Sequence, residues 1–219
     1  YYSKDEHLGA FVLRLGSRFR GRIGIKKDGT VTAVAGDWMV DTGAFCDMTQ
    51  SQIAVGCGEA QLVLKCENWD LATKVICTNR CASGVIRGFG GQELESALAP
   101  ILADVMAKAD LDPVQFFKKN YVKPGEGYIW REGNHWTCRG MDYSRTMEEG
   151  AAAFGWKDKW KGWLKPTAVD GPKRIGVGVG VNGNADVGEA DSEAYIRLSA
   201  DGTATIQGSV SDSGIGQRR

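Results

Sequence analysis

The segment that most constrains the fold is GVIRGFGGQE, residues 84–93, in which four glycines surround one arginine and one phenylalanine. Glycine in this number indicates a backbone that approaches a neighbour closely or turns where a Cβ atom does not fit. Residues 92–109 follow with apolar side chains spaced by three and four, which predicts an amphipathic helix. Because a helix N-terminus favours anions, the loop is a candidate anion-binding element.

Strands are predicted for most of residues 1–86. Residues 11–40 alternate in places and contain Asp28-Gly29, a hairpin turn signal, and residues 60–79 are expected to form two further strands.

Three helices are predicted, over residues 92–109, 111–122 and 142–156. Pro100 lies inside the first and is expected to kink it. In the second, Asp112 is the expected N-cap and Pro113 occupies the first helical position. Residues 123–140 are expected to form a loop.

Residues 157–173 are expected to form a connector, 174–181 a strand, and 193–210 a hairpin around Asp201-Gly202.

Residues 22–43 and 194–214 share one pattern: a strand, a DGT turn, a returning strand, and then D-T-G or D-S-G. The repeat indicates two related units, with chance similarity of two hairpins as the alternative. We therefore predict an α+β fold with antiparallel or mixed sheets and packed helices. One unit spans residues 1–165, strand-rich over 1–86 and helical over 92–156, and a second begins within 172–219.

Charge and hydropathy exclude several classes of protein. The 219 residues include 27 Lys+Arg and 27 Asp+Glu, so nothing in the charge balance favours nucleic acid or an anionic membrane as a partner. No apolar run reaches the roughly 18 residues of a membrane-spanning helix. A cytoplasmic protein is expected, and both chain ends are interpreted as cuts in a longer protein.

Six cysteines are present, without a C-x-x-C pair, and only His7 and His135 could add imidazole ligands. The prediction is reduced, mostly buried thiols, with no protein-held metal.

Several segments resemble, in the same order, the xanthine oxidase family of molybdenum hydroxylases, which includes xanthine dehydrogenase and aldehyde oxidase. GVIRGFGGQE resembles the family loop A-F-R-G-F-G-G-P-Q. The other similar segments are YSKDEHL, IKKDGTVTAVAGDWMVDTGAFCD, ADLDPVQFFKKNYVKPGE, and KRIGVGVGV followed by DGTATIQGSVSDSGIGQ. The chain is thus identified as a fragment of a family large subunit.

The resemblance implies a molybdenum–molybdopterin cofactor, either plain or as the cytosine dinucleotide. It implies that the parent enzyme hydroxylates an aldehyde, heteroaromatic or related carbon with water as the oxygen source. It also implies [2Fe-2S] clusters and FAD on other domains or subunits, which would be partners together with the rest of the large subunit and a small-molecule substrate.

The same resemblance implies the cofactor contacts, which are Ile86, Arg87, Gly88, Phe89, Gly90, Gly216 and Gln217. Phe89 matches the phenylalanine that lines the substrate pocket, and Ile86 replaces a commoner phenylalanine. Arg218 stands where the family motif G-Q-G has its second glycine. Glu93 is interpreted as a first-turn carboxylate and not as a catalytic base. For the loop with Tyr128, Trp130, His135 and Trp136, a substrate funnel and ordinary packing are equally open.

Two segments expected of the family are missing from this chain: a preceding glycine-phenylalanine loop and the segment with the catalytic glutamate. The isolated chain is therefore predicted to be inactive. Two alternatives stay open, a reductive member of the same fold similar to aryl-CoA reductases and a cofactor-free interaction module. Against the module stands the intact Arg87–Gly90 set, because a decayed site would have no physical need for Gly88 and Gly90. A P-loop is excluded by the missing Lys-Ser/Thr.

Overall fold

The computed structural model describes residues 2–129, 133, 135–184 and 193–208. The chain divides into two compact units, Tyr1–Asn184 and Ala185–Arg219. No helix among the described residues is long and apolar enough to cross a membrane.

The first unit is built on a three-stranded mixed sheet in the order β1-β2-β3. The strands are β1 (Gly16–Ile25), β2 (Val31–Gly43) and β3 (Trp69–Cys77). β1 pairs antiparallel with β2 through the predicted turn, where Gly29 has a φ of 83°, and β3 runs parallel to β2. Val34, Trp38 and Val40 alternate along β2 and are buried, so one face of the sheet lies on the core.

The helices of this unit are α1 (Lys4–Ala10), α2 (Thr49–Val63), α3 (Gly91–Lys108), α4 (Pro113–Asn120), α5 (Tyr143–Phe154) and α6 (Trp156–Lys159). Buried residues of β2, α2, α3 and α4 form a single hydrophobic cluster, which holds the helices against the sheet. Asn120, which is 2% exposed, accepts a hydrogen bond from the Val31 N–H at 2.9 Å and donates to the Gly29 carbonyl at 3.0 Å. It thereby ties α4 to the β1–β2 hairpin.

Two small antiparallel hairpins complete the described part of the unit. They are β4 (Gly127–Ile129) with β5 (His135–Thr137), and β6 (Ala168–Asp170) with β7 (Lys173–Ile175). The first pair lies within the loop expected over residues 123–140, whose described residues on either side of the pair are turns or irregular.

Residues 176–184 belong to no described strand, so the strand predicted over 174–181 is wrong beyond Ile175. Val177, Val179 and Val181 are half-buried, whereas the glycines between them are exposed. The alternation is real, but side chains of the neighbouring helices, and not a described partner strand, hold this segment.

In the second unit, β8 (Ala194–Leu198) and β9 (Ala204–Gly208) form the hairpin predicted around Asp201-Gly202. This prediction is confirmed, as is the general α+β class with its antiparallel and mixed sheets.

One expected strand is a helix. Residues 60–63, assigned from sequence to a strand, complete α2, whose residues are buried on most sides. Such a helix shows no apolar stripe, so the spacing rule does not detect it. The helices expected over 92–109 and 111–122 are confirmed as α3 and α4, and Asp112 caps α4 by accepting from the Gln115 N–H at 3.1 Å.

The expectation of mostly buried thiols is wrong as well. Cys138 is buried and Cys57 and Cys66 are half-buried, but Cys46, Cys77 and Cys81 are exposed. All six are free of disulfide bonds.

Candidate functional site

The glycine-rich loop begins as an extension of the sheet. Leu13 and Ser83 form a parallel bridge, in which the Leu13 N–H donates to the Ala82 carbonyl and the Gly84 N–H donates to the Leu13 carbonyl, both at 3.0 Å. On its other side, the Ser83 N–H donates to the Thr42 carbonyl at 2.9 Å. The entry to the loop is therefore fixed between two backbone segments.

The loop then turns through three consecutive positive φ angles. They are 101° at Gly88, 43° at Phe89 and 103° at Gly90. Two tight hydrogen bonds close the turn: the Phe89 N–H donates to the Ile86 carbonyl at 3.0 Å, and the Gly91 N–H donates to the Gly88 carbonyl at 2.8 Å. Glycine adopts this left-handed conformation without a steric penalty, which explains positions 88 and 90.

Two of the glycines also allow the loop to pack closely against α2. A Cβ at Gly90 would overlap the Gln52 carbonyl, and a Cβ at Gly91 would overlap the Glu59 carboxylate. Gly56 is equally constrained, because its Cβ would lie 2.6 Å from the Gly90 oxygen. The fold therefore needs Gly90 whatever the loop binds, and an intact Gly90 does not argue against a cofactor-free module.

The first turn of α3 already faces a carboxylate of the protein. Glu59 is buried and lies against Gly91, the first residue of the helix, where the helix dipole favours negative charge. A ligand of the loop would therefore contact residues before Gly91, and not the helix axis itself.

The part of the loop that solvent reaches carries the arginine. Val85 and Arg87 are exposed, and Ile86, Gly88 and Phe89 are half-buried. These residues offer a guanidinium group, backbone and one aromatic ring to a ligand, which is a donor-rich and flat surface.

Arg14, which the sequence did not indicate, joins the loop to the helix. Its Nη1 lies 3.0 Å from Glu93 Oε1, and its Nη2 donates to the Arg87 carbonyl at 2.6 Å. The Glu93 side chain is 5% exposed and lies in the first turn of α3, as predicted. The two partners are 79 residues apart in sequence, so no local pattern could reveal the pair.

Other residues singled out from sequence have clear positions. Asp41, at the end of β2, accepts hydrogen bonds from the Thr78 hydroxyl at 2.7 Å and the Gly43 N–H at 2.9 Å. These hydrogen bonds, led by that of Thr78, lower the pKa of its carboxyl. Tyr128 is buried on β4, opposite Trp136 of β5. Trp130, Gly216, Gln217 and Arg218, which the sequence analysis also named, lie outside the described residues.

The geometry therefore brings together the backbone of the turn and the Arg87 guanidinium, rather than the helix dipole, as donors for an anion. The sequence profile of the molybdopterin cofactor-binding domain matches residues 1–121, and the chain belongs to this family. The match includes the whole glycine-rich loop.

Relatives extend the match along the chain. "Probable hypoxanthine oxidase XdhD" of Escherichia coli strain K12 is 26% identical over 227 residues, covering 98% of this chain and 23% of that protein. The aldehyde oxidoreductase of Megalodesulfovibrio gigas is 27% identical over 193 residues, covering 87% of this chain and 20% of that protein. The chain therefore spans about a quarter or less of the length of these relatives.

Among solved structures, the aldehyde oxidoreductase from Desulfovibrio gigas has a TM-score of 0.66 at 18% identity, over 94% of this chain and 22% of that one. The chain thus shares its fold with part of this aldehyde oxidoreductase. The resemblance to the xanthine oxidase and aldehyde oxidase family is confirmed.

Proposed function

We propose that this chain is the part of a molybdenum hydroxylase large subunit that holds molybdopterin, and that residues 86–90 contact the cofactor. The observation that carries the proposal is the exposed Arg87 on a backbone fixed on both sides, by the Leu13–Ser83 bridge and by the turn into α3. The family match over residues 1–121 supports it.

The donors of this loop fit an oxygen-rich anionic group. The Arg87 guanidinium carries several N–H donors in one plane, and Gly88 has no side chain to cover its backbone. Among the described residues, no group of three His, Cys, Asp or Glu side chains is placed to hold a metal ion. A metal that arrives with its own dithiolene ligand does not need such a group.

When bound, this cofactor would supply the metal centre at which a substrate carbon is oxidised with water as the oxygen source. The residues of this chain would bind and orient. Arg87 would place fixed positive charge beside the centre, Phe89 would line the pocket with its ring, and Gly216 and Gln217 would contact the pterin.

The wider assignment is also a proposal. It comprises an aldehyde, heteroaromatic or related substrate, [2Fe-2S] and FAD on other domains or subunits, a cytoplasmic location, and units at residues 1–165 and 172–219. The expected catalytic glutamate lies outside this chain, and we expect the isolated chain to show no turnover.

The test is the molybdenum and pterin content of the whole protein, purified without oxygen, for wild type, Arg87→Ala and Arg18→Ala. Arg18 is an exposed arginine on β1, away from the loop, and is the matched control. Loss of charged hydrogen bonds to the cofactor should lower molybdenum in the Arg87 variant about tenfold. Equal, near-stoichiometric molybdenum in all three proteins would contradict the assignment of Arg87.

A further inference from the structure

We propose that Arg14 is a positioning residue, which orients the Arg87–Gly88 peptide so that the Gly88 N–H points toward the bound ligand. This inference rests on the proposed function of the loop. No sequence motif and no family match assigns a role to Arg14.

The guanidinium of Arg14 makes two contacts at once, with Glu93 Oε1 at 3.0 Å and with the Arg87 carbonyl at 2.6 Å. The planar guanidinium group can bridge two acceptors held in fixed positions, whereas the ammonium group of lysine acts as a point charge. The two acceptors belong to different elements, the loop and the first turn of α3.

The fold holds both Arg14 and its partner Glu93 in place. The Arg14 backbone follows the Leu13–Ser83 bridge and precedes Leu15, which is buried in the core. Glu93 is buried on α3, and none of the described residues hydrogen-bonds to its second oxygen, Oε2. The position of the guanidinium is therefore set from outside the loop, and the loop adapts to it.

The orientation of one peptide group follows from this contact. The Arg87–Gly88 peptide is planar and trans, so its C=O and N–H point in opposite directions. Since the carbonyl is directed at Arg14, the Gly88 N–H is directed away from Arg14. Among the residues that the structure describes, none accepts a hydrogen bond from this N–H.

A backbone donor without a protein acceptor, on a half-buried glycine beside an exposed arginine, is suited to an anionic oxygen of a ligand. Arg14 would thus act on the ligand through the Arg87–Gly88 peptide, while Arg87 contacts the ligand with its own side chain.

Arg14→Lys tests this role in the whole protein, with Arg18→Lys as the control and Arg14→Ala as a second variant. Lysine keeps the positive charge next to Glu93 but cannot hold the Arg87 carbonyl in the same arrangement. A residue that only neutralised Glu93 would be replaced by lysine without effect, so the conservative variant separates the two roles even where Arg14→Ala fails to fold.

Two quantities are measured, amide hydrogen exchange of peptides that cover residues 84–91 and molybdenum content. In Arg14→Lys we expect about tenfold faster exchange in these peptides, as for loss of a hydrogen bond to a charged group, and a several-fold fall in molybdenum. Peptides from β1 and β2 should exchange as in wild type, as should every peptide of Arg18→Lys.

Exchange and molybdenum content in Arg14→Lys equal to those of wild type would overturn the positioning role, even if Arg87→Ala had lost its cofactor. Faster exchange with unchanged molybdenum would support the control of the loop by Arg14 and would instead contradict the proposed contact between loop and cofactor. The failures of the two proposals are therefore distinguishable.

Discussion

Gly88, Phe89 and Gly90 share the left-handed backbone region, but each occupies it under different constraints. Gly90 is enclosed by backbone of α2, whereas a Cβ at Gly88 would meet the Gln92 side chain, with the nearest atom at 2.9 Å. Phe89 is not a glycine, and a left-handed φ costs such a residue about 1 kcal/mol. Retention of a strained aromatic residue there is consistent with the proposed role of Phe89 in a substrate pocket.

These differences predict unequal effects of alanine on stability. Gly90→Ala should lower the free energy of unfolding by about 3 kcal/mol, because backbone strain adds to an overlap with the Gln52 carbonyl that no rotamer relieves. Gly88→Ala should cost only about 1 kcal/mol, because Gln92 can move. Urea unfolding of the chain measures both, and equal midpoints for the two variants would show that contact with α2 does not constrain Gly90.

At the scale of elements, segment 176–184 is tied to α3 by the Glu95 side chain. Glu95 Oε1 accepts a hydrogen bond from the Gly183 N–H at 2.7 Å. Gly183 is itself buried, and a Cβ there would lie 2.6 Å from the Glu59 carbonyl. The attachment of the segment therefore depends on the close approach of Gly183 to α2 and on the hydrogen bond to Glu95.

This attachment should depend on pH. Burial raises the pKa of Glu95 to about 7, while the hydrogen bond from Gly183 opposes the rise. Because the carboxyl is more easily protonated when the segment covers it, the attached state is favoured by protonation. Its contribution to stability is fully present below the ordinary pKa of 4.5 and is lost as the pH rises through about 7.

Amide exchange of residues 176–184, corrected for the intrinsic effect of pH, should therefore show about tenfold weaker protection at pH 8 than at pH 6. Glu95→Gln keeps an acceptor for the Gly183 N–H without a titratable group, and its protection should not change between the two pH values. A Glu95→Gln variant with the same pH dependence as wild type would rule out Glu95 as the titrating group.

Elements were predictable where the signal is local. The turn at Asp28-Gly29 and the cap at Asp112 each depend on a few neighbouring residues, and the structure contains both. Helix α2 was missed because it is buried on most sides and has no polar face to set its period. The 176–184 segment has the alternation of a strand, and alternation reports burial on one side without specifying what covers it.

In the candidate site, too, local features were predictable from the sequence and contacts between distant residues were not. The loop and its arginine were visible in the sequence, because glycine spacing is a local property. Arg14 and Glu59 were not, since each meets the loop only after the chain has folded. Likewise, Gly90 has to be a glycine because the Gln52 carbonyl of α2 lies against it. A contact between two elements of this kind is not visible in the pattern of a single sequence.

For the whole molecule, the first unit has a continuous core of its own, shared by β2, α2, α3 and α4. The six cysteines of this unit differ in burial: Cys46, Cys77 and Cys81 are exposed, Cys57 and Cys66 are half-buried, and Cys138 is buried. Thiol reactivity therefore reports whether the 219-residue chain folds with this core in the absence of the rest of a large subunit.

Ellman's reagent at pH 8 should modify Cys46, Cys77 and Cys81 rapidly and the other thiols slowly. Burial raises the pKa of Cys57 from 9.0 to about 11. This reduces its thiolate population about a hundredfold, and the thiolate is the form that reacts. Cys77→Ser should remove one fast thiol, Cys57→Ser should leave the fast phase unchanged, and guanidinium should make every remaining thiol fast. Uniformly fast reaction of all six thiols without denaturant would mean that the core forms only within the longer protein, because burial would then no longer protect Cys57.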